Sequence, residues 1–277
     1  MCEVGDNVYW LGGVGAQKSA VVGAEMAFIS SLRGRFLVPA GFCFVMSPDL
    51  RWDDSVRLEV VLNRALADFP GRDTGSGLGL RVRASVEVRQ HRPDVHLPRA
   101  PSFHNVGEGA LVEAAMESAA PFLSPRRWGA AGSAGVPPRV VVAVQRFVPP
   151  QAWISASFDP DGIDQAVVLC AGWGLKEDDE VADVLVIDGA TREVIGKHVA
   201  DKRRMTVGAQ GGGVREVEVQ AELREVPCLD DRMAREIANR VIELVGEVRS
   251  PVRLELELTG GQLHLLGVPS LNAARGR

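Results

Sequence analysis

The segment Arg253–Ser270, with the sequence RLELELTGGQLHLLGVPS, predicts two short strands around a Thr-Gly-Gly-Gln turn. In the first strand, leucines alternate with Glu255 and Glu257, and after the turn leucines flank His264. Because residues two apart share a face of a strand, one face of this hairpin is apolar and belongs on a core. The opposite face carries two carboxylates and an imidazole, so it is the first candidate for a polar site.

The composition around this hairpin is that of a soluble globular protein. The chain has 277 residues, of which 46% are hydrophobic and 24% are charged, a length that suits two domains or one large one. Net charge is -5 and no segment is strongly basic, which argues against nucleic acid or an anionic membrane as the main partner. No apolar run approaches the roughly 20 residues that a membrane span needs. The four cysteines are far apart without a C-x-x-C pair, which predicts reduced thiols in a cytoplasmic protein.

The first half of the chain alternates helical and strand patterns. The segment Ser124–Pro138 is rich in glycine and proline and is the best linker candidate, so we predict an N-terminal lobe at 1–138 and a C-terminal lobe at 139–277. Before this linker, we predict helices over Gln17–Leu32, from Asp53 or Asp54 to Phe69, and over Gly107–Leu123, with strands over Phe36–Met46 and Leu80–Val88.

The second half is richer in strand patterns. Asp230 or Asp231 caps an amphipathic helix that runs to Val245. Ahead of it, strands are predicted over Arg139–Val148, Trp153–Phe158, Ala166–Cys170, Val184–Asp188 and Glu193–Val199. Helices mixed with mostly antiparallel strands indicate the α+β class.

Several segments, taken in order, resemble the N-terminal ATP-binding domain of the phosphoenolpyruvate synthase, pyruvate phosphate dikinase and rifampin phosphotransferase family. They are Val14–Ser19 (VGAQKS), Val38–Phe42 (VPAGF), Val82–Val86 (VRASV), Ser102–Val106 (SFHNV), Val144–Pro149 (VQRFVP), Gly172–Leu175 (GWGL), Ala200–Lys202 (ADK) and the hairpin itself. The family's counterparts include V-G-G-K-G-A, V-P-P-G-F, V-R-S-S-A, T-F-L-N-V, V-Q-R-M-V-P and W-G-L-G-E. The resemblance implies an ATP-grasp fold with the nucleotide site between two lobes.

The resemblance also implies a role for particular residues. Arg83 and Lys18 would bind phosphate and take part in catalysis, since a guanidinium fork and an ammonium beside a helix start both suit phosphate oxygens. Glu255, with Glu257, would hold Mg²⁺ on the polar face of the hairpin. The backbone of a hinge would bind the adenine of ATP. The hinge residues are Gln145, Arg146, Phe147 and Val148.

The chain departs from the family's pattern at several reactive positions. Gly267 stands where the family has a second metal ligand, and Pro269 where it has a phosphate-binding arginine. Cys170 replaces an acidic residue, and Lys176 replaces the second glycine of W-G-L-G-E. Gln17 occupies the position of the loop lysine, one residue before Lys18.

Three hypotheses follow from this mixture. The first is an ATP-dependent phosphotransferase that passes phosphate to a small molecule or to a histidine on a separate partner, because none of the five histidines here lies in the family's Gly-Gly…His motif. The second is a degenerate pseudoenzyme that serves as a binding or scaffolding subunit. The third is an ATP-grasp ligase, which the fold allows but no residue favours.

Overall fold

A computed structural model describes residues 8–46, 55–71, 78–87, 100–123, 139–161, 165–177 and 181–268. These residues form a mixture of helices and largely antiparallel sheets, so the predicted α+β class is confirmed. They fall into two compact units. One comprises the described residues up to Val148 with Ala209–Gly213, and the other Pro149–Gly208 with those from Val214 onward.

The first unit is built on a five-stranded antiparallel sheet. Its strands in chain order are β1 (Val8–Trp10), β2 (Gly41–Met46), β3 (Leu80–Glu87), β4 (Ser102–Val106) and β5 (Arg139–Arg146). In the sheet they lie in the order β1-β2-β5-β3-β4, so β5 is the central strand. Valines dominate β5 because both of its faces are buried.

Helices cover both faces of this sheet. The even-numbered valines of β5, such as Val142, share a core with α2 (Ser55–Ala67) and α3 (Leu111–Leu123). Helix α1 (Ser19–Ser31) contacts β2, β3 and β5. Its Glu25 bonds the side chain of Arg83, which places α1 on the other face of β3. That face also carries Arg81, because it lies two residues from Arg83 on the same strand.

Strand pairing explains why the Val-Pro-Ala-Gly-Phe segment has a glycine at position 41. It lies directly opposite Gln145 in the β2–β5 ladder. A Cβ at Gly41 would collide with the carbonyl oxygen of Val144 and approach the Cα of Gln145 to 2.8 Å. The two strands therefore reach their observed separation only with glycine at this position.

The second unit is built on a six-stranded antiparallel sheet with the order β13-β12-β6-β7-β8-β9. Its strands are β6 (Ala152–Phe158), β7 (Ala166–Trp173), β8 (Asp183–Asp188), β9 (Val194–His198), β12 (Val252–Thr259) and β13 (Gln262–Gly267). A separate hairpin consists of β10 (Arg204–Gly208) and β11 (Val214–Glu218). The predicted C-terminal hairpin is confirmed as β12 and β13.

Helix α4 (Asp231–Val248) covers one face of this sheet. The side chain of Asp230 accepts a hydrogen bond from the backbone N–H of Met233 at 2.7 Å, which confirms the predicted cap. The buried stripe of the helix includes Ile237 and Val241, as predicted, and faces the leucines of β12. The carboxylates of β12 therefore lie on the opposite face of the sheet.

The units divide at Val148 and Pro149. The division predicted from composition lies before β5, which the structure pairs with β2 and β3 in the first unit. The linker segment 124–138 itself, the capping residues Asp53 and Asp54, and the residues from Pro269 onward lie outside the described residues. No helix of the described ranges is both long and apolar enough to cross a membrane.

Candidate functional site

Arg83 lies mid-strand in β3 and is held by a carboxylate of α1. Its Nη2 donates to Oε1 of Glu25 at 2.5 Å, and the two side chains are only 14% and 7% exposed. A charge-assisted bond at this depth fixes the direction of the guanidinium. Glu25 is the positioning partner that sequence reasoning missed, because the two residues are 58 positions apart.

A second buried arginine lies beside Arg83. Arg81 is 2% exposed, and its Nε donates to Nδ1 of His104 at 3.0 Å. Its guanidinium carbon lies 5.9 Å from the centre of the Phe147 ring, a cation–π distance. Arg81 is also the ladder partner of Gln145. The structure thus brings Arg81 together with two residues of the predicted adenine hinge.

The predicted hinge uses most of its own polar groups within the protein. The N–H of Arg146 donates to the carbonyl of Ala40 at 2.7 Å, and the N–H of Phe147 to that of Gly79 at 2.9 Å. The Arg146 guanidinium donates to the carbonyl of Pro70 at 2.8 Å. Gln145 is 2% exposed, and among the described residues its Nε2 has no hydrogen-bond partner. This orphaned buried donor is a group that a ligand could satisfy.

Lys18 is exposed, in contrast to the arginines of β3. It precedes α1 in an extended conformation, and its carbonyl accepts hydrogen bonds from the N–H groups of Val21 and Val22. Lys18 therefore lies just before the first turn of α1, whose helical backbone is interrupted at Gly23. Its predicted contact with phosphate stays a prediction.

His104 stands where the resembling family has leucine, and its environment keeps the ring neutral. Burial, followed by the charges of Arg81 and Arg83, lowers the pKa of His104 from 6.5 to about 3. Its Nδ1 accepts the bond from Arg81, so the neutral ring carries its proton on Nε2.

We expect His104 to make the stability of the first unit depend on pH. In the unfolded chain the imidazole takes up a proton below its ordinary pKa of 6.5, whereas the folded state resists protonation down to about pH 3. The contribution of the neutral His104 ring to the free energy of unfolding is therefore fully present above pH 6.5 and is lost as the pH falls from there. The variant His104→Gln keeps an acceptor for Arg81 and does not titrate. Its melting temperature, followed from pH 7.5 to about pH 4.5, should fall less steeply than that of the wild type. Parallel curves for the two proteins would contradict this explanation.

In the second unit, polar side chains collect on the face of the sheet opposite α4. The β12 residue Glu255 lies between Ser155 on β6 and Gly267 on β13, and Glu257 lies between Trp153 and His264. Lys176, which follows strand β7, lies near Glu255 and Trp153. Its Nζ is 3.8 Å from Oε1 of Glu255 and 5.6 Å from the centre of the Trp153 ring. Arg253 donates from Nε to Oγ of Ser155 at 3.0 Å. We call Lys176, Glu255, Trp153 and Arg253 the carboxylate-face cluster.

The Gly-Trp-Gly-Leu segment is explained by packing around this cluster. A Cβ at Gly172 would lie 2.6 Å from Nε1 of Trp153, so the indole can lie against β7 only where there is no side chain. Gly174 has a φ of 71°, a conformation that L residues with side chains rarely adopt. That turn lets the N–H of Leu175 donate to the carbonyl of Thr206 at 2.8 Å and leads directly to Lys176.

The two predicted metal ligands differ in their surroundings. Glu255 is 32% exposed and adjoins the ammonium of Lys176, whereas Glu257 is 4% exposed. The ladder position opposite Glu255 is Gly267, which has no side chain to offer a metal. Magnesium prefers several oxygen ligands in an octahedral arrangement. The residues around Glu255 do not fit a magnesium ion held by the protein, because this carboxylate is shared with a lysine and the opposite position offers no side-chain oxygen.

A buried ion pair on the other face of the sheet explains the predicted Ala-Asp-Lys segment. Lys202 is 2% exposed and Asp183 0%, and Nζ of Lys202 donates to Oδ1 of Asp183 at 2.5 Å. Asp183 also accepts from the N–H groups of Ala200 at 2.9 Å and Cys228 at 2.8 Å. Burial alone would raise the pKa of Asp183, but these hydrogen bonds and the charge of Lys202 outweigh it and lower that pKa. The lysine of this segment therefore stabilises the fold.

Comparison with known proteins supports the resemblance read from the motifs. Residues 132–268 match the sequence model of the pyruvate phosphate dikinase AMP/ATP-binding domain. A curated relative, rifampicin phosphotransferase from Streptomyces, is 32% identical over 142 residues, which cover 49% of this chain and 16% of that protein. The matched part thus spans a small fraction of the length of this relative.

Two solved structures are similar over most of the chain at low identity. D-alanine–D-alanine ligase from Bacillus anthracis aligns over 93% of this chain and 57% of its own, with 9% identity and a TM-score of 0.34. The macrocyclase MdnC from Microcystis aeruginosa, bound with its precursor peptide, aligns over 85% and 48%, with 8% identity and a TM-score of 0.30. With scores this low, the resemblance rests on the sequence match. The resemblance read from the motifs is confirmed, because residues 132–268 are similar to the AMP/ATP-binding domain of pyruvate phosphate dikinase.

Proposed function

We propose that this chain binds ATP and serves as the nucleotide-binding part of a phosphotransferase. The observation that carries the proposal is the match of residues 132–268 to an AMP/ATP-binding domain. The buried arginines of β3 and the carboxylate-face cluster support it, because a triphosphate needs positive charge and directed N–H donors. The acceptor of the phosphate is a small molecule or a histidine on a separate partner protein.

The predicted site residues of the first unit have separate roles in this proposal. Arg83, directed by Glu25, contacts the phosphates, and Lys18 adds a second cation at the start of α1. The hinge Gln145–Val148 binds the adenine, and Gln145 offers it a buried Nε2 donor. In the second unit, magnesium binding by Glu255 and Glu257 is an untested prediction that Lys176 and Gly267 beside Glu255 argue against, and a titration with a divalent cation tests it.

The alternative is a degenerate member that binds nucleotide or a protein partner without transferring phosphate. Gly267 opposite Glu255 favours it, since the hairpin then lacks a side chain at the position of the family's second metal ligand. Losing one charge-stabilising group from a reaction site typically costs about 10²- to 10³-fold in rate. Phosphate transfer to a partner, measured with radiolabelled ATP at high protein concentration, separates the two functions.

The first test is calorimetric titration of the wild-type chain with ATP, in magnesium and in EDTA. We expect binding with a dissociation constant of about 1 mM or tighter, the range in which enzymes bind their substrates. GTP should bind more weakly, because the hinge reads the edge of the base. If no heat of binding is seen for either nucleotide in either condition, the proposed function is wrong.

A further inference from the structure

Lys176 is one of the residues of the second unit that depart from the family pattern. It stands where W-G-L-G-E has its second glycine, and it follows the tight turn at Gly174. Its ammonium lies over the ring of Trp153 and near one oxygen of Glu255. A long charged side chain has thus been placed on the carboxylate that the family uses for metal.

The contact between Lys176 and Glu255 contributes little to the free energy of unfolding. The two side chains are 35% and 32% exposed and 3.8 Å apart, and pairs of this kind typically contribute about 0–1 kcal/mol. The cation–π contact with Trp153 adds direction, because the ammonium is attracted to the ring face. The ammonium is therefore held in place and remains accessible to a ligand.

The charge at this position bears directly on metal binding. An ammonium next to a carboxylate repels a divalent cation that approaches the same oxygen, and it neutralises the charge that would attract that cation. Gly267, on the other side of Glu255, has no side chain that could add a metal ligand. The same ammonium attracts the phosphate chain of a nucleotide, as lysines do in many phosphate sites.

We propose that Lys176 is a tethered cation that takes the place of a protein-held divalent metal beside Glu255 and offers its charge to the phosphate oxygens of a nucleotide that binds at this face of the second unit. This inference rests on the proposed function, and it makes Lys176 a residue that determines cation specificity. The chain then binds ATP nearly as well in EDTA as in magnesium. Removing the ammonium restores metal binding at Glu255 and makes nucleotide binding depend on the metal.

The experiment compares wild type with Lys176→Met, with Lys197→Met as a matched control. Lys197 also pairs with an exposed carboxylate, Asp231, at 2.8 Å, and has a similar exposure of 34%. Two readouts are used. One is calorimetric titration with ATP in EDTA and in magnesium, and the other is binding of Mn²⁺ to the nucleotide-free protein, followed by electron paramagnetic resonance.

We expect wild-type affinity for ATP to change by less than about 3-fold between the two conditions. Lys176→Met should lose roughly 10-fold in EDTA, the loss expected for one charge-assisted contact, and recover part of it in magnesium. In the absence of nucleotide, Lys176→Met should bind Mn²⁺ more tightly than wild type, while Lys197→Met should behave as wild type in both readouts.

Three outcomes would overturn the inference. If Lys176→Met binds ATP and Mn²⁺ as the wild type does, Lys176 has no role in cation choice, although the proposed function stands. If wild-type binding collapses in EDTA, the metal has not been replaced. If the wild type binds no ATP under any condition, both this inference and the proposed function fail.

Discussion

Replacing Lys202 with methionine is expected to lower the free energy of unfolding of the second unit by about 3–5 kcal/mol. Its partner Asp183 is 0% exposed, so the variant leaves a buried carboxylate without its counter-ion, although the backbone N–H groups of Ala200 and Cys228 still donate to it. A buried charge without its counter-ion is among the most destabilising single changes known. Urea unfolding followed by circular dichroism measures the loss.

Two further variants test the reason for this loss. Lys197→Met removes an exposed ion pair and should cost less than about 1 kcal/mol. The double variant Asp183→Leu/Lys202→Met removes both charges and should be more stable than Lys202→Met alone, because no unpaired carboxylate stays buried. A double variant that is no more stable than the single one would show that the cost lies in packing.

The same pair gives the second unit a pH dependence in the acid range. The pKa of Asp183 is lowered in the folded state from its ordinary 3.8. A depressed carboxylate pKa means that its contribution to stability is present above pH 3.8 and is lost as the pH falls through the folded pKa. The loss therefore comes at lower pH than that produced by His104 in the first unit.

Local patterns were enough to predict the elements with strong periodicity. The hairpin β12–β13 and helix α4 follow from alternation and from a capped amphipathic stripe, both of which are properties of neighbouring residues. The same alternation placed Glu255 and Glu257 on one face correctly but did not show that Glu257 is 4% exposed. What covers a face depends on other strands and on connecting loops.

The contacts that matter most for the candidate site join distant parts of the chain. Arg83 was identified from its motif, but its partner Glu25 lies on another element. Lys202 was matched to a family segment, and only the fold shows that Asp183 lies against it. Likewise, the glycine- and proline-rich composition of 124–138 predicts a linker there, whereas strand pairing decides that β5 belongs to the first unit.

Replacing Arg83 with alanine is expected to weaken ATP binding by about 100-fold, while binding of adenosine should change little. The guanidinium fork fits phosphate oxygens, so its loss removes charge-assisted hydrogen bonds that only the nucleotide's phosphates make. The ratio of ATP to adenosine affinity, measured by calorimetry, is the informative quantity. A merely structural role for Arg83 would lower both affinities together.

The burial of Glu25 requires a second variant. Arg83→Ala alone leaves a carboxylate that is 7% exposed without the partner that directs it, which by itself would destabilise the first unit. The double variant Glu25→Ala/Arg83→Ala removes both charges and should fold better than the single one, yet still lack the preference for ATP over adenosine. Glu25→Gln retains the guanidinium and should bind ATP within about 10-fold of wild type. If the double variant kept the full preference for ATP, Arg83 would be a structural partner of α1 and the phosphates would bind elsewhere.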